Sequence, residues 1–352
     1  MAKILVLGAG MMGSAICAPI ADRGHDVRLV GTPLDRDIIA RLQSDGVHPG
    51  LGVALPPQVS ASQIEALEAE AEGVEAIVLG VSSAGVEWAG AATRAIVRPG
   101  VPVISVTKGL RWTGSRFDLL PDVLASAWAP EDRGAIHPGA VVGPCIAGEL
   151  ARRVQTCVSF AGRDMAAMRR LADLFRTDYY HIRPSTQLVG LEVCAALKNA
   201  FAMAVGFARG INERVGREHG SVAMHNHEAA VFAQAALEMA RLVELFGGDP
   251  SVAGGLAGVG DLFVTCQGGR TSRLGRWLGL GLSIKEAVEA MEGATLESLD
   301  VLKVLDEAIP VLEERGDLGA AELPLLRHLC AIATAGAAAD VPFERFFTEL
   351  EG

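Results

Sequence analysis

The 352-residue sequence predicts a doubly wound α/β domain at the N-terminus followed by an all-α C-terminal domain. Three observations predict it. Short apolar runs alternate with stretches of helical spacing through the first half. A glycine-rich turn joins the first run to the first helix. From about Gln187 onward, long Ala/Leu/Glu-rich stretches take over and no period-2 pattern stands out.

Lys3-Ile4-Leu5-Val6-Leu7 reads as a buried strand that runs straight into Gly8-Ala9-Gly10-Met11-Met12-Gly13. Residues 14–23 have helical spacing and stop at Gly24, a natural helix C-terminus. Asp26-Val27-Arg28-Leu29-Val30 is a second strand. A GxGxxG string between a strand and a helix is the signature of a Rossmann-type dinucleotide-binding domain, with a glycine-rich turn of an unrelated α/β fold as the alternative. Gly8 permits the tight turn, Gly10 lets a pyrophosphate approach the backbone, and Gly13 lets helix and strand pack closely. The helix N-terminus, with Met11 and Met12, then offers unpaired N–H groups to the phosphates.

Two further buried strands follow. Ala76-Ile77-Val78-Leu79 leads into Gly80-Val81-Ser82, and residues 101–106 lead into Thr107-Lys108-Gly109. Their C-terminal ends carry small and polar residues, at the edge where doubly wound sheets bind ligands. Strands near 140–142 and 156–160, and helices over 64–72 and 165–175, complete a dinucleotide-binding domain of residues 1–185. Arg183-Pro184-Ser185-Thr186 is the junction. A helical substrate-binding and catalytic domain covers 186–352, with helices over 188–207, 228–246, 284–291, 301–313 and 323–333.

The balance of 31 basic and 42 acidic side chains gives a formal charge of -11. That argues against nucleic acid or an anionic membrane as partner, and it means an anionic ligand must be held by local positive charge. Six scattered cysteines show neither CxxC nor metal-ligand spacing, so reduced thiols and no metal are expected. The stretch 188–207 has the length of a membrane span but contains Glu192, Lys198 and Asn199, which are costly in lipid. A buried helix and a cytoplasmic protein are expected.

Two places in the second half look unlike plain core. Lys198, deep in an apolar helix, would lose hydration; its pKa should fall, which is how a lysine becomes an acid or base near neutral pH. Alternatively its head reaches solvent along the helix. The segment 254–273 packs six glycines around Asp261, Thr265, Arg270, Thr271 and Arg273. Glycine backbone, hydroxyls and guanidinium groups together suit a phosphate or carboxylate, or else form a solvated helix connection.

Taken in order, these strings resemble the NAD(P)-dependent glycerol-3-phosphate dehydrogenases over nearly the whole chain. The resemblance rests on the Gly8–Gly13 turn, Lys108-Gly109-Leu110, Gly143-Pro144-Cys145-Ile146-Ala147-Gly148-Glu149, Glu192-Val193-Cys194-Ala195-Ala196-Leu197-Lys198-Asn199, and Gly260-Asp261 with Thr265 and Gly268-Gly269-Arg270. It implies Lys198 as the catalytic acid/base, Lys108 as a second active-site lysine that helps polarise the carbonyl, and Asp261 and Thr265 as partners that orient Lys198 and the substrate hydroxyls. It implies Arg270 as the phosphate clamp, Asn199 at the phosphate or reacting end, and Glu297 against the cofactor. A homodimer is also implied. Thr271 stands where one branch has asparagine, and Cys145 where the family has Asn, Ser or Thr, so a related phosphorylated polyol stays open.

The edge of the second strand reads Val30-Gly31-Thr32-Pro33, with no acid until Asp35 and with Arg36 next. An acid at that edge is the usual partner of the NAD ribose 2'-OH. Thr32 and Arg36 are therefore expected to accept a 2'-phosphate, leaning to NADP over NAD. Ser82 is expected at the cofactor as well. Two alternatives remain: a ketopantoate-reductase-like or 3-hydroxyacid dehydrogenase, in which Arg270 would hold a carboxylate, and a cofactor-binding sensor without turnover.

Overall fold

The computed structural model describes residues 1–129, 135–216, 218, 220–293 and 296–346. Contacts divide the chain into two units: Met1–Lys108 with Asp118–Leu188, and Gly109–Phe117 with the chain from Val189 onward.

The strands in chain order are β1 (Lys3–Leu7), β2 (Asp26–Val30), β3 (Val47–His48), β4 (Val53–Ala54), β5 (Val59–Ser62), β6 (Ala76–Leu79), β7 (Val103–Ser105), β8 (Leu110–Trp112), β9 (Phe117–Leu119), β10 (Gly139–Val142), β11 (Thr156–Ala161) and β12 (Tyr180–Ser185). Eight of them form one sheet in the order β12-β11-β10-β7-β6-β1-β2-β5, parallel except where β10 meets β11. The two central neighbours β1 and β6 mark the point where strand order reverses. Both faces are covered, so alternate residues of one strand feed two cores: Ile4 and Val6 go to one, Leu5 and Leu7 to the other. This is why β1 reads as a continuous apolar run.

The expected strands at 3–7 and 26–30 form with those bounds, and those at 76–79, 101–106, 140–142 and 156–160 form within a residue or two. Two strands of the eight-stranded sheet were not expected, and neither were the short pairs β3–β4 and β8–β9. β5 is half-buried at one edge, with the polar sequence Val-Ser-Ala-Ser. β12 closes the other edge and includes Pro184, a position an edge strand tolerates because no further strand needs its missing N–H. The expected helix over 14–23 is two short pieces, Met11–Ala15 and Cys17–Asp22, and the one over 64–72 is a 3₁₀ turn followed by Leu67–Glu70.

The second unit is built around the helix Leu188–Val215, the long apolar segment noted above. In its most apolar 18-residue window 89% of the residues are buried inside the protein. The helix His225–Leu245 and the helices Arg270–Gly279, Glu297–Glu314 and Pro324–Ala335 accompany it. Residues 109–117 join this unit: the Phe117 ring lies 4.6 Å from Phe246, and Arg315 donates to the Ser115 carbonyl at 2.6 Å.

Helix Leu188–Val215 meets helix Arg270–Gly279 backbone to backbone. A Cβ on Gly210 would sit 2.0 Å from the Arg276 carbonyl oxygen, and one on Gly275 would sit 2.0 Å from that of Met203. Only glycine permits such an approach. Met203 pairs with Gly275 and Gly210 with Arg276 and Leu280, so the two helices run in the same direction.

A buried carboxylate organises the far side of this unit. Glu238, 3% exposed, accepts the Leu325 and Leu326 N–H groups at 2.7 Å each and a bond from Gln234. It thereby caps the helix that starts at Pro324, whose own preceding residue, Leu323, is left-handed at φ 60.

Candidate functional site

In the first unit the glycine turn lies beside the strand-order reversal. Gly8 has φ +110, and a Cβ there would lie 2.6 Å from the Gly80 carbonyl oxygen. A Cβ on Gly13 would lie 2.1 Å from the Gly8 oxygen. Around Gly10, by contrast, the nearest atom to an added Cβ is 3.9 Å away. The turn is closed toward the sheet and open on the side where Gly10 faces out, which fits a pyrophosphate.

A cavity of about 550 Å³ opens next to it, lined by Gly10, the Thr32–Asp35 loop, Gly80-Val81-Ser82 and Trp88. The structure thus brings Gly10, Thr32 and Ser82 together. Met11 is half exposed at the turn, while Met12 packs against the core, its sulfur 4.0 Å from Cys145. Arg36 lies elsewhere: it is exposed, does not line the cavity, and is held by Glu65. Lys108, at the C-terminal end of the β7 segment, is partly buried and points its Nζ at the Gly143 carbonyl at 3.5 Å.

Two residues at this site carry no expected role in the sequence. Asp35 turns its Oδ2 inward, accepting from the Ala9 N–H at 3.0 Å and from the Thr32 N–H and hydroxyl at 2.8 Å each. His48 is 1% exposed, with its ring against the Ala9 carbonyl. An acid just before a helix, five residues past a strand, is a legible signal. A lone histidine at the end of a two-residue strand is not.

In the second unit the chemistry lies in side chains. Lys198 is 9% exposed, and its Nζ is 2.5 Å from Oδ1 of Asp261, itself 1% exposed. The lysine is therefore half of a buried charge pair with the partner the resemblance implied, and it does not reach solvent along the helix. Asp261 is placed by a π-helical turn over Leu256–Gly260, which re-aims the chain just before the helix Asp261–Cys266. Burial pushes the Cys194 thiol, one turn before Lys198, up to about 12, with the Asp261 charge adding to the effect.

Thr265 donates its hydroxyl to the Asp261 carbonyl at 2.7 Å, and Asn199 donates to Glu297 at 3.3 Å. Asn199, expected at the substrate, and Glu297, expected at the cofactor, are thus joined in a single pair. Arg270 is the first residue of its helix and is exposed; Thr271 beside it is 7% exposed. Because the two glycine-packed helices run in the same direction, Lys198 and Asn199 lie toward the same end of the pair as Arg270. An ammonium and a guanidinium toward one end of a glycine-packed helix pair suit a small phosphorylated carbonyl compound.

Comparison with known proteins gives consistent matches. The family model described as NAD-dependent glycerol-3-phosphate dehydrogenase N-terminus matches residues 3–168, and its C-terminal counterpart matches 187–343. The chain is 33% identical over 305 residues to an NADP(+)-dependent glycerol-3-phosphate dehydrogenase of Archaeoglobus fulgidus, covering 87% of this chain and 88% of that one. It is 30% identical over 357 residues to a glycerol-3-phosphate dehydrogenase [NAD(P)+] of Mycobacterium avium, covering 99% and 95%. A crystal structure of glycerol-3-phosphate dehydrogenase from Coxiella burnetii superposes with a TM-score of 0.80 at 27% identity, covering 99% of each chain.

Proposed function

The chain belongs to the NAD(P)-dependent glycerol-3-phosphate dehydrogenase family, and on that premise we propose how its own residues share the reaction. It is an oxidoreductase of a secondary alcohol, interconverting dihydroxyacetone phosphate and glycerol 3-phosphate with NAD or NADP. The family match at both ends of the chain decides against the ketopantoate-type alternative and the non-catalytic sensor.

Residues 1–185 serve the cofactor, and residues 186–352 hold the substrate and carry the acid/base. When bound, the nicotinamide accepts or supplies the hydride. The turn Gly8–Gly13, with Met11 and Met12, receives the pyrophosphate, and Thr32 and Ser82 receive the nucleoside end. Lys198 gives a proton to the carbonyl oxygen in reduction and takes it from the hydroxyl in oxidation. Asp261 aims the ammonium and balances its charge, while Thr265 fixes the Asp261 segment. Lys108 adds positive charge that polarises the carbonyl.

Arg270 clamps the phosphate, with the buried Thr271 and Asn199 as further donors; Glu297 orients Asn199 and touches the cofactor. Binding the distant dianion holds the reacting carbon in place. The observation that carries this assignment is the buried Lys198–Asp261 pair.

NADP is the preferred cofactor in this reading. The relative from Archaeoglobus fulgidus is named as NADP(+)-dependent. Asp35, its Oδ2 committed to three donors, leaves less negative charge for a 2'-phosphate to meet. Arg36 would have to exchange Glu65 for that phosphate. A cytoplasmic homodimer is the expected state.

The test follows nicotinamide absorbance with dihydroxyacetone phosphate, unphosphorylated dihydroxyacetone and ketopantoate, each with NADPH and NADH. Turnover is expected with the phosphorylated ketone, faster with NADPH. Turnover with ketopantoate alone would overturn the substrate, and equal rates with both cofactors would overturn the preference.

A further inference from the structure

We propose that His48 is a positioning residue for the cofactor: it holds the Ala9 peptide, and with it the phosphate-binding turn, through the bond from its Nε2 to the Ala9 oxygen. The inference rests on the reading above that the Gly8–Gly13 turn receives the cofactor.

The ring's protonation follows from its neighbours. Nδ1 is approached by two backbone donors, Gly50 N–H at 3.2 Å and Leu51 N–H at 3.0 Å, so it carries no proton. The proton of the neutral ring is then on Nε2, which donates to the Ala9 oxygen at 2.9 Å. Ser14 donates its hydroxyl to the same oxygen at 3.1 Å, and Asp35 accepts the Ala9 N–H at 3.0 Å. The residue between Gly8 and Gly10 is thus gripped at both its polar groups by three side chains.

Glycine leaves a backbone free to rotate, and two of the first three residues of this turn are glycine. Without the grip, the N–H groups that meet the phosphates would have to be ordered on binding, at a cost in affinity. The loop that carries His48 lies against the turn: a Cβ on Gly50 would be 3.5 Å from Met11 Cγ. Arg152 fastens the loop from behind by donating to the Leu51 carbonyl at 2.9 Å.

Two substitutions divide the ring's work. Glutamine can place a donor near Nε2 and keep the bond to Ala9. Asparagine can place an acceptor near Nδ1, keeping the loop closed but releasing Ala9. Cofactor dissociation constants are measured by titration calorimetry, with KM and kcat from steady-state rates and thermal midpoints for folding.

His48→Asn is expected to weaken cofactor binding about tenfold and to raise the cofactor KM in step, with little change in kcat. His48→Gln is expected to recover all but about threefold of the affinity. Ser14→Ala, a change any helix accepts, is expected to weaken binding about threefold and gives the answer if His48→Asn does not fold. Full affinity in His48→Asn, loss in His48→Gln alone, or a loss confined to kcat would each overturn the role, as would full affinity in Ser14→Ala should His48→Asn not fold. Gly10→Ala, whose methyl meets nothing closer than the Gly80 oxygen at 3.9 Å, separates the two readings. If it binds cofactor normally, the turn is not the cofactor site; if it alone fails to bind, the site stands and the His48 role falls.

Discussion

In the proposed assignment the first unit presents backbone to its ligand, and the second presents side chains. Around Gly10 the functional groups are N–H donors of a turn, and side chains such as Asp35 and His48 act from behind to hold it. Around Lys198 the functional groups are an ammonium, a carboxylate, an amide and a guanidinium, and the backbone acts from behind, through a π-helical turn and glycine contacts. A cofactor with a fixed phosphate chain is met by a fixed backbone. A proton that must move is met by a group that can carry it.

The sharpest way to break this contrast is to remove the moving group. Lys198→Ala is expected to lower kcat by about 10³-fold or more with cofactor affinity nearly unchanged. A large loss of cofactor affinity in this variant would show that the two kinds of site are not separate. Asp261→Asn keeps the shape but leaves a buried ammonium without its carboxylate. A loss of about 3 kcal/mol in stability is expected, together with lower kcat, read from denaturant titration and steady-state rates.

Backbone contact in the second unit can be tested apart from its chemistry. Gly210→Ala removes no functional group, yet its methyl would meet the Arg276 carbonyl. Overpacking of this kind is expected to cost about 2–3 kcal/mol, and kcat should fall in the fraction that folds because Lys198 and Arg270 shift relative to one another. A neutral result would mean that the helices separate easily.

A smaller effect concerns Glu238. Burial outweighs its three hydrogen bonds and pushes its carboxyl up to about 7, against 4.5 for an ordinary glutamate. The folded state therefore binds the proton more tightly than the unfolded one. This contribution is full below about pH 4.5 and is lost as pH rises through 7. The stability difference between the wild type and Glu238→Gln should shift by roughly 3 kcal/mol against the wild type from pH 4.5 to pH 8. A shift in the opposite direction would show the anion to be the preferred form. The smallest change is Arg36→Ala, expected to reduce discrimination between NADPH and NADH by about threefold at this exposed position.

What the sequence made legible follows the same division. A buried parallel strand must be apolar on both faces, so β1 and β2 announce themselves, and the glycine turn has a fixed spacing. β5 and β12 escape because an edge strand is exposed on one side and tolerates serine and Pro184. In the second unit Lys198, Asp261 and Arg270 were visible as residue types in unusual company. That Lys198 meets Asp261, 63 positions away, came from the family resemblance and not from local pattern; that Asn199 meets Glu297, 98 positions away, depends on packing that neither encodes. His48 was invisible because its role lies in where the loop lands. The helix 188–207 was recognised as buried from its charged residues, but its glycine seam reads locally as nothing more than weak helix.

That seam has a consequence for how the chemistry proposed for this chain can change. Two helices whose peptide groups touch cannot slide, so the span between ammonium and guanidinium behaves as a gauge cut in stone. Neighbouring side chains can be exchanged to favour a different oxygen or a different anion. In the proposed site, the length of molecule accepted between them is tied to those glycine contacts.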